Sequence, residues 1–431
     1  MGKTELFEGQ DLKIEPPNLP TQARCQLVGV NSKNQEIRVP LSDELLSRHL
    51  LFLGSIGTGK TNAISQLIAQ LRANMTENDV MVIFDTKGDF RSAFFKPGDV
   101  IISNDSMTTG KHGLDYWNIF SEVDQGNLLE EDLIEIARTL FAERAERSNQ
   151  PFFPNAARDL FTATLLHFMR GGKQEELNNA SLRNFFNRVT APILRSALTT
   201  HEDLAAICSY ISEDKSPQTQ GVMAELQQMV REILVGNFKQ NGTLSMRKLI
   251  RAKGRQVVFV EYDLGIGNTL TPIYRLLLDL AIKEAISRRK SEGNVWFVID
   301  EFRLVPHLQH IDDGVNYGRS LGVKFIIGVQ NVEYLYHIYG EALARSILSG
   351  FRTTVAFNVG DAATRTYIQG LFGKNRKLEK LTSTIPGKPV IEQVREANVV
   401  EDWDIASLSI GRAIVGMSEQ NPFLFQFKQF Q

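Results

Sequence analysis

The sequence predicts an α/β fold with a central, mostly parallel sheet and an inserted all-α domain. Three observations carry this. Residues 49–53 form a compact apolar run, a glycine-rich loop follows, and Ile64, Leu67, Ile68 and Leu71 then recur at the i, i+3, i+4, i+7 spacing of one helix face. Residues 80–84 supply a second buried run ending on Asp85, so strand, loop, helix and strand alternate as they do in parallel sheets. Between about residues 126 and 240 the periodicity turns helical nearly throughout, with stripes at Leu133, Ile136, Ala137 and Leu140, at Leu160, Ala163 and Thr164, and at Val222, Leu226, Met229, Val230 and Ile233.

In chain order, residues 1–20 are polar and end in Pro16-Pro17-Asn18-Leu19-Pro20, a composition that predicts a flexible, extended arm. Two β-like runs, 25–30 and 36–40, flank Asn31-Ser32-Lys33-Asn34-Gln35 and predict a hairpin. Beyond the helical insertion, strands are expected at 257–260, 295–299, 323–329, 353–357 and 413–416, with a last one where Phe423, Phe425 and Phe427 alternate. The predicted organisation is an arm (1–20), a first part of a nucleotide-binding domain (21–125), the all-α insertion (126–240) and the second part of the nucleotide-binding domain (241–431).

Composition narrows the class. At 431 residues with 42% hydrophobic and 23% charged residues, the chain has ordinary globular usage and can bury a large core. No apolar stretch approaches the ~18–20 residues of a membrane span, and the start lacks a basic, apolar secretory signal, so a cytoplasmic protein is expected. Cys25 and Cys208 form neither a disulfide framework nor a metal pair. With 48 basic against 50 acidic residues, any polyanion must be met by a local basic surface.

Gly54-Ser55-Ile56-Gly57-Thr58-Gly59-Lys60-Thr61 matches G-x-x-x-x-G-K-[ST] at every fixed position, between a predicted strand and a predicted helix. Glycines let backbone N–H groups curl round a phosphate at the positive end of the helix, so residues 54–61 and Asn62 are the expected nucleotide-binding set. Lys60 is placed to reach the β- and γ-phosphates of ATP, and the Thr61 hydroxyl to ligate Mg²⁺. A phosphate loop needs an acidic partner. Val295-Trp296-Phe297-Val298-Ile299 ends on Asp300-Glu301, which assigns Asp300 to Mg²⁺ and Glu301 to polarising the attacking water. Asp85 is the competing carboxylate, and a pair at a strand end can also simply cap the next helix. The strand 323–329 runs into Gln330, a polar residue at the strand's carboxyl end, where ligands of open α/β sheets collect. Gln330 is the predicted γ-phosphate sensor, against the plainer reading of a loop amide making local turn bonds.

Taken together these residues resemble the conjugative coupling ATPases of type IV secretion systems, the TraG/TraD-type branch of the HerA/FtsK group of RecA-like motors. Asp85-Thr86-Lys87-Gly88-Asp89 is similar to the family's D-x-K-G-[DE] element, and Trp117-Asn118-Ile119-Phe120 to the segment entering the helical domain. Phe152-Phe153 with Ala156-Ala157-Arg158-Asp159-Leu160 resembles the opening of one of its helices. Asp300-Glu301, Gly318-Arg319-Ser320-Leu321-Gly322, Gln330 and Tyr339-Gly340 then follow in the family's order.

The resemblance implies a RecA-like P-loop NTPase, a homohexamer with ATP between subunits and DNA in its channel. It further implies a relaxase or relaxosome as cargo and a membrane-embedded secretion channel as partner, at the inner face of the membrane. It makes Arg319 the candidate for an arginine donated across the interface, with Arg345 and Arg352 in reserve. Arg144 and Arg147 lie in an alternating-charge run that reads as a solvated helix face, so no DNA residue is assigned. Membrane-bound members begin with spanning helices, which this sequence lacks. Recruitment by a membrane partner is therefore expected, with the arm as first docking candidate. Two other readings stand beside the coupling motor: a HerA-like motor in repair or phage defence, and a nucleotide-dependent secretion adaptor that does not translocate.

Overall fold

The computed structural model describes residues 3–19, 23–105, 115–124, 128–287, 292–381 and 391–430. Met1, Gly2 and Pro20 of the expected arm, and the expected boundary at 125/126, lie outside these. The strands are β1 (Lys3–Glu8), β2 (Cys25–Val30), β3 (Glu36–Leu41), β4 (Leu50–Leu53), β5 (Val80–Asp85), β6 (Val100–Ile102), β7 (Gln256–Glu261), β8 (Val295–Ile299), β9 (Val323–Val329), β10 (Thr353–Ala356), β11 (Lys374–Leu381), β12 (Ile391–Asn398), β13 (Arg412–Gly416) and β14 (Phe423–Phe427). Two compact units are present. The first comprises Met1–Met81, Arg289–Pro306 and Asp312–Gln431, the second Val82–Arg288 and His307–Ile311.

In the first unit the strand order is β3-β2-β14-β13-β10-β4-β9-β8. The four strands β10, β4, β9 and β8 pair in parallel. Their residues are buried throughout, as continuous apolar runs covered on both faces must be. The register matters for function: Leu53 lies opposite both Val329 and Ala356, and Ile299 opposite Ile327, so the residues after these strands emerge on one edge. The remaining strands pair antiparallel, including the predicted hairpin of β2 and β3, and Phe423, Phe425 and Phe427 all point into the core.

His49 pins the amino ends of the parallel strands. Its backbone is left-handed (φ 59°), Nδ1 accepts the N–H of Phe325 at 3.1 Å, and Nε2 donates to the Val315 carbonyl at 2.9 Å. Burial pulls its pKa from 6.5 down to about 4, and the charges of Lys324 and Arg319 push the same way. The unfolded chain therefore binds a proton that the folded one refuses, and stability present above pH 6.5 is lost as pH falls toward 4. From His49 alone we expect a loss of roughly 3 kcal/mol over that window. Asp279, which burial lifts to about 6, titrates in the same window with the opposite sign in both proteins. The His49 contribution is therefore read in chemical denaturation as the difference between the pH profiles of the wild type and His49→Leu, the variant being less stable at pH 7 because two buried backbone groups lose partners.

The amino-terminal residues differ from the expected arm. Residues 3–8 form β1, which pairs antiparallel with β11 in a separate three-stranded sheet ordered β1-β11-β12. Lys13 bonds in both directions to the start of β14, donating to Pro422 O at 2.8 Å and accepting from Leu424 N at 2.8 Å. The β11–β12 hairpin carries no apolar alternation that could announce it. Cross-strand ion pairs match it instead: Lys374 with Glu396, Lys380 with Glu392, Arg395 with Glu379.

The second unit holds β5 from Val82 onward, β7 and β6, with β6 and β7 parallel. Around them run the helices Leu129–Arg147, Phe152–Gly171, Asn179–Arg188, Ala191–Leu198, Pro217–Ile233, Met246–Ala252 and Gly267–Ile286. The predicted stripes are buried, and Asn178 and Ser216 cap the third and fifth of these helices with their side chains. Arg144 is not simply solvated, since it forms ion pairs with Glu225 and Glu232, whereas Arg147 is 79% exposed beside Glu143. Arg275, wholly buried, pairs with Glu143 at 3.1 Å, and nearby burial lifts Asp279 to about 6. No helix among the described residues is long and apolar enough to cross a membrane.

Candidate nucleotide site

The predicted phosphate loop leaves β4 at Gly54, whose N–H donates to Val329 O at 3.2 Å. Gly57 (φ 77°) and Gly59 (φ 116°) occupy left-handed backbone that only glycine adopts freely, and Gly59 starts the helix Lys60–Ala73. A Cβ on Gly54 would sit 2.7 Å from Thr58 Oγ1 and 2.9 Å from Phe357 Cβ, so the loop closes only around hydrogen there. Thr58 Oγ1 donates to Ser55 O at 2.8 Å, and Ser55 N to Asn358 O at 2.9 Å, which anchors the loop to the end of β10. Lys60 is buried with Nζ 2.5 Å from Gly54 O and 3.0 Å from Ser55 O, placing its charge in the middle of the loop. Asn62, expected in the nucleotide-binding set, has its side chain engaged with the carboxyl-terminal residues instead: its amide donates to Lys428 O at 3.0 Å and its carbonyl accepts from Phe430 N at 2.7 Å.

At the same edge, Thr61 Oγ1 donates to Asp300 Oδ2 at 2.6 Å. A hydroxyl and a carboxylate so close are hard oxygen donors of the kind Mg²⁺ takes, with phosphate and water completing its shell. The set fits the ion. Beside it Glu301 accepts from Gln330 Nε2, and Arg303 Nε lies 3.2 Å from its other oxygen. Burial raises the Glu301 pKa, opposed by the charges of Arg303 and Lys60, which favours a carboxylate able to take a proton. The predicted Lys60, Thr61, Asp300, Glu301 and Gln330 are thus brought together.

Two contributors escape a motif reading. Arg303 belongs to no spaced pattern and shows its partner only in three dimensions. Gly328 had a faint signal as a glycine inside a strand, which marks close approach: a Cβ there would lie 2.1 Å from Asp300 O. Gly328→Ala should therefore displace Asp300. We expect at least tenfold weaker Mg²⁺-dependent nucleotide binding and a lowered Tm, read by titration and thermal melting.

Asp85 is engaged elsewhere. Its Oδ1 accepts from Gly88 N at 2.9 Å and Lys87 N at 3.3 Å, its Oδ2 from Arg91 N at 2.8 Å, so both oxygens cap the turn into Asp89–Phe94. Arg319 sits in the turn Gly318–Leu321 before β9, at the amino edge of the parallel strands. Seven residues of β9, roughly 20 Å, separate that edge from the phosphate loop's. There Arg319, Arg48 and Arg352 line a cavity of about 540 Å³ with His49, Ser349 and Glu419. Arg319 is half-exposed, 3.8 Å from Glu44, while Arg345 is paired with Glu341 at 2.7 Å.

Residues 35–417 match the model of the type IV secretion-system coupling protein DNA-binding domain. The chain belongs to this family. A coupling protein VirD4 of type IV secretion from Bartonella henselae is 21% identical over 262 residues, covering 57% of this chain and 40% of the relative. The chain thus aligns with about two fifths of that relative's length. Among solved structures, the plasmid coupling protein TrwB with the non-hydrolysable ATP analogue ADPNP superposes at TM-score 0.75 and 20% identity, over 99% of this chain and 95% of TrwB. TrwB with ADP and Mg²⁺ gives 0.72 and 20%, over 91% and 88%. This coupling-protein homologue has the α/β fold of TrwB, with a large mixed sheet and a helical insertion.

Proposed function

We propose that this coupling-protein homologue is an ATP-driven DNA translocase that delivers relaxase-bound DNA to a type IV secretion channel. The observation that carries the reading is the convergence, on one sheet edge, of Lys60, Thr61 bonded to Asp300, and Glu301 bonded to Gln330. Phosphate binding alone would not need the last pair. Bound Mg²⁺ would neutralise the charge developing between the β- and γ-phosphates. The loop N–H groups and Lys60 hold the phosphates, Thr61 and Asp300 hold the ion, Glu301 orients and polarises the attacking water, and Gln330 fixes the Glu301 carboxylate. A γ-phosphate that repositions Gln330 alters Glu301 directly, which makes Gln330 a sensor.

Arg319 lies too far along β9 to serve its own phosphate loop, so its role requires a second copy, with the amino edge of one subunit facing the nucleotide of the next. Such head-to-tail contacts close into rings, and a homohexamer around DNA is the proposed assembly. Docking at the membrane is assigned to surfaces outside the phosphate site. Residues 3–8 are a poorer candidate for docking than an open arm, since β1 is already paired. Steady-state ATPase with and without DNA, at rising protein concentration, tests the reading. Turnover should rise with DNA and more steeply than linearly with protein; linear, DNA-independent turnover would contradict it.

A further inference from the structure

We propose that residues 3–13 are exchanged between neighbouring copies of this chain, each subunit's β1 pairing with the next subunit's β11. The inference rests on the proposed ring and names what stitches it together. Residues 3–13 are held by segments remote in sequence. In this structure β1 runs antiparallel to β11 in a fixed register, from Lys3 opposite Lys380 to Glu8 opposite Arg376, and Glu8 adds an ion pair with Arg376 at 3.2 Å. The chain then turns at Gly9, in left-handed backbone (φ 100°), where a Cβ would stand 3.3 Å from Asn375 Cα. The buried Asn375 amide donates to Gln10 O at 2.9 Å, Asp11 N donates to Asn421 Oδ1 at 3.0 Å, and the Lys13 backbone bridges to Phe423. Residues 374–380 and 420–424 are thus a fitted receptor for one extended segment, and the segment that fits is part of this same sequence.

The residues that follow pack less firmly. Ile14 is 76% exposed, and residues 14–16 are flanked by two cavities, one of about 380 Å³ shared with Val30 and Phe425 and one of about 620 Å³ shared with Gln420 and Asn421. This stretch therefore spans open space more than it rests on its own subunit. Pro16 and Pro17 favour extended backbone, which keeps the tether stiff and long. Fully extended, residues 14–23 reach roughly 33 Å. A neighbour's residues 3–13 would make every bond described above, so exchange alters only the path of the tether. In a free chain its own segment wins because its effective concentration is high, whereas in a ring the neighbour's segment is held at a similar concentration and competes. Each subunit gives to one neighbour and receives from the other, so the exchange is head-to-tail and closes with the ring.

The test mixes two single-cysteine variants of the full chain, Leu6→Cys and Lys377→Cys, whose positions are register partners, with DNA and ATP, and treats them with a short bismaleimide. The native Cys25 and Cys208 are buried. A link between the two variants forms only where the β1 strand of one chain lies on β11 of another. At protein concentrations where light scattering shows assembly, covalent dimers should appear on a denaturing gel at least tenfold above either variant alone, and the chain carrying both substitutions should give a ladder up to ring size. Assemblies in which the mixture stays uncoupled, and peptide mapping finds the double variant linked only within single chains, would overturn the exchange and leave the ring standing. Dimers and nothing larger from the double variant would overturn the head-to-tail direction. A wild type that stays monomeric with DNA and ATP at every concentration would overturn the ring, and the exchange with it.

Discussion

Glu301→Gln should bind ATP nearly as the wild type does and hydrolyse it at least a hundredfold more slowly. The amide keeps the size of the side chain and can still meet Gln330, but it can neither take a proton from water nor polarise it, and a positioned base contributes ~10²–10⁴-fold. Lys60→Ala should fail differently. Its ammonium sits inside the loop, 2.5 Å from Gly54 O, so its removal weakens the hold on the phosphates as well as the chemistry. Nucleotide affinity and turnover measured on both variants separate these outcomes. Near-normal turnover in Glu301→Gln would remove Glu301 from the mechanism, and the raised pKa that burial imposes on it would then be only structural.

Mixing Arg319→Ala subunits with Lys60→Ala subunits should restore ATPase that neither variant shows alone. Arg319 and the phosphate loop lie on opposite edges of the same parallel strands, and the proposed ring would bring one subunit's arginine to the next subunit's nucleotide. In mixed rings some interfaces pair an intact loop with an intact arginine, and a donated arginine is worth ~10³–10⁵-fold in rate. No recovery in rings shown to contain both variants would count against Arg319. Arg352, on the same edge and lining the same cavity, would be the next residue to mix.

How far the sequence could be read depended on what kind of interaction fixes each part. The phosphate loop was legible because it is local: residues 54–61 carry its glycines, lysine and threonine in one run. Asp300, Glu301 and Gln330 were legible because apolar strands announce their own ends. The β1 strand and the β11–β12 hairpin were not, since ion pairs between distant segments hold them and their exposed faces lack apolar alternation. Gly328 gains its meaning only from Asp300 at the end of the neighbouring strand, and Arg303 only from its ion pair with Glu301, which no spacing pattern announces. Asp85 looked from its position like a second metal carboxylate, and only the backbone N–H groups of residues 87, 88 and 91 explain where its oxygens go.

In the proposed function, ATP hydrolysis moves DNA. Displacement of a triplex-forming third strand from a linear duplex measures movement directly, because a motor travelling along the duplex strips it off. Displacement should require ATP, scale with track length in its delay, and vanish in Glu301→Gln while nucleotide binding persists. Vigorous hydrolysis stimulated by duplex DNA without any displacement would contradict the account.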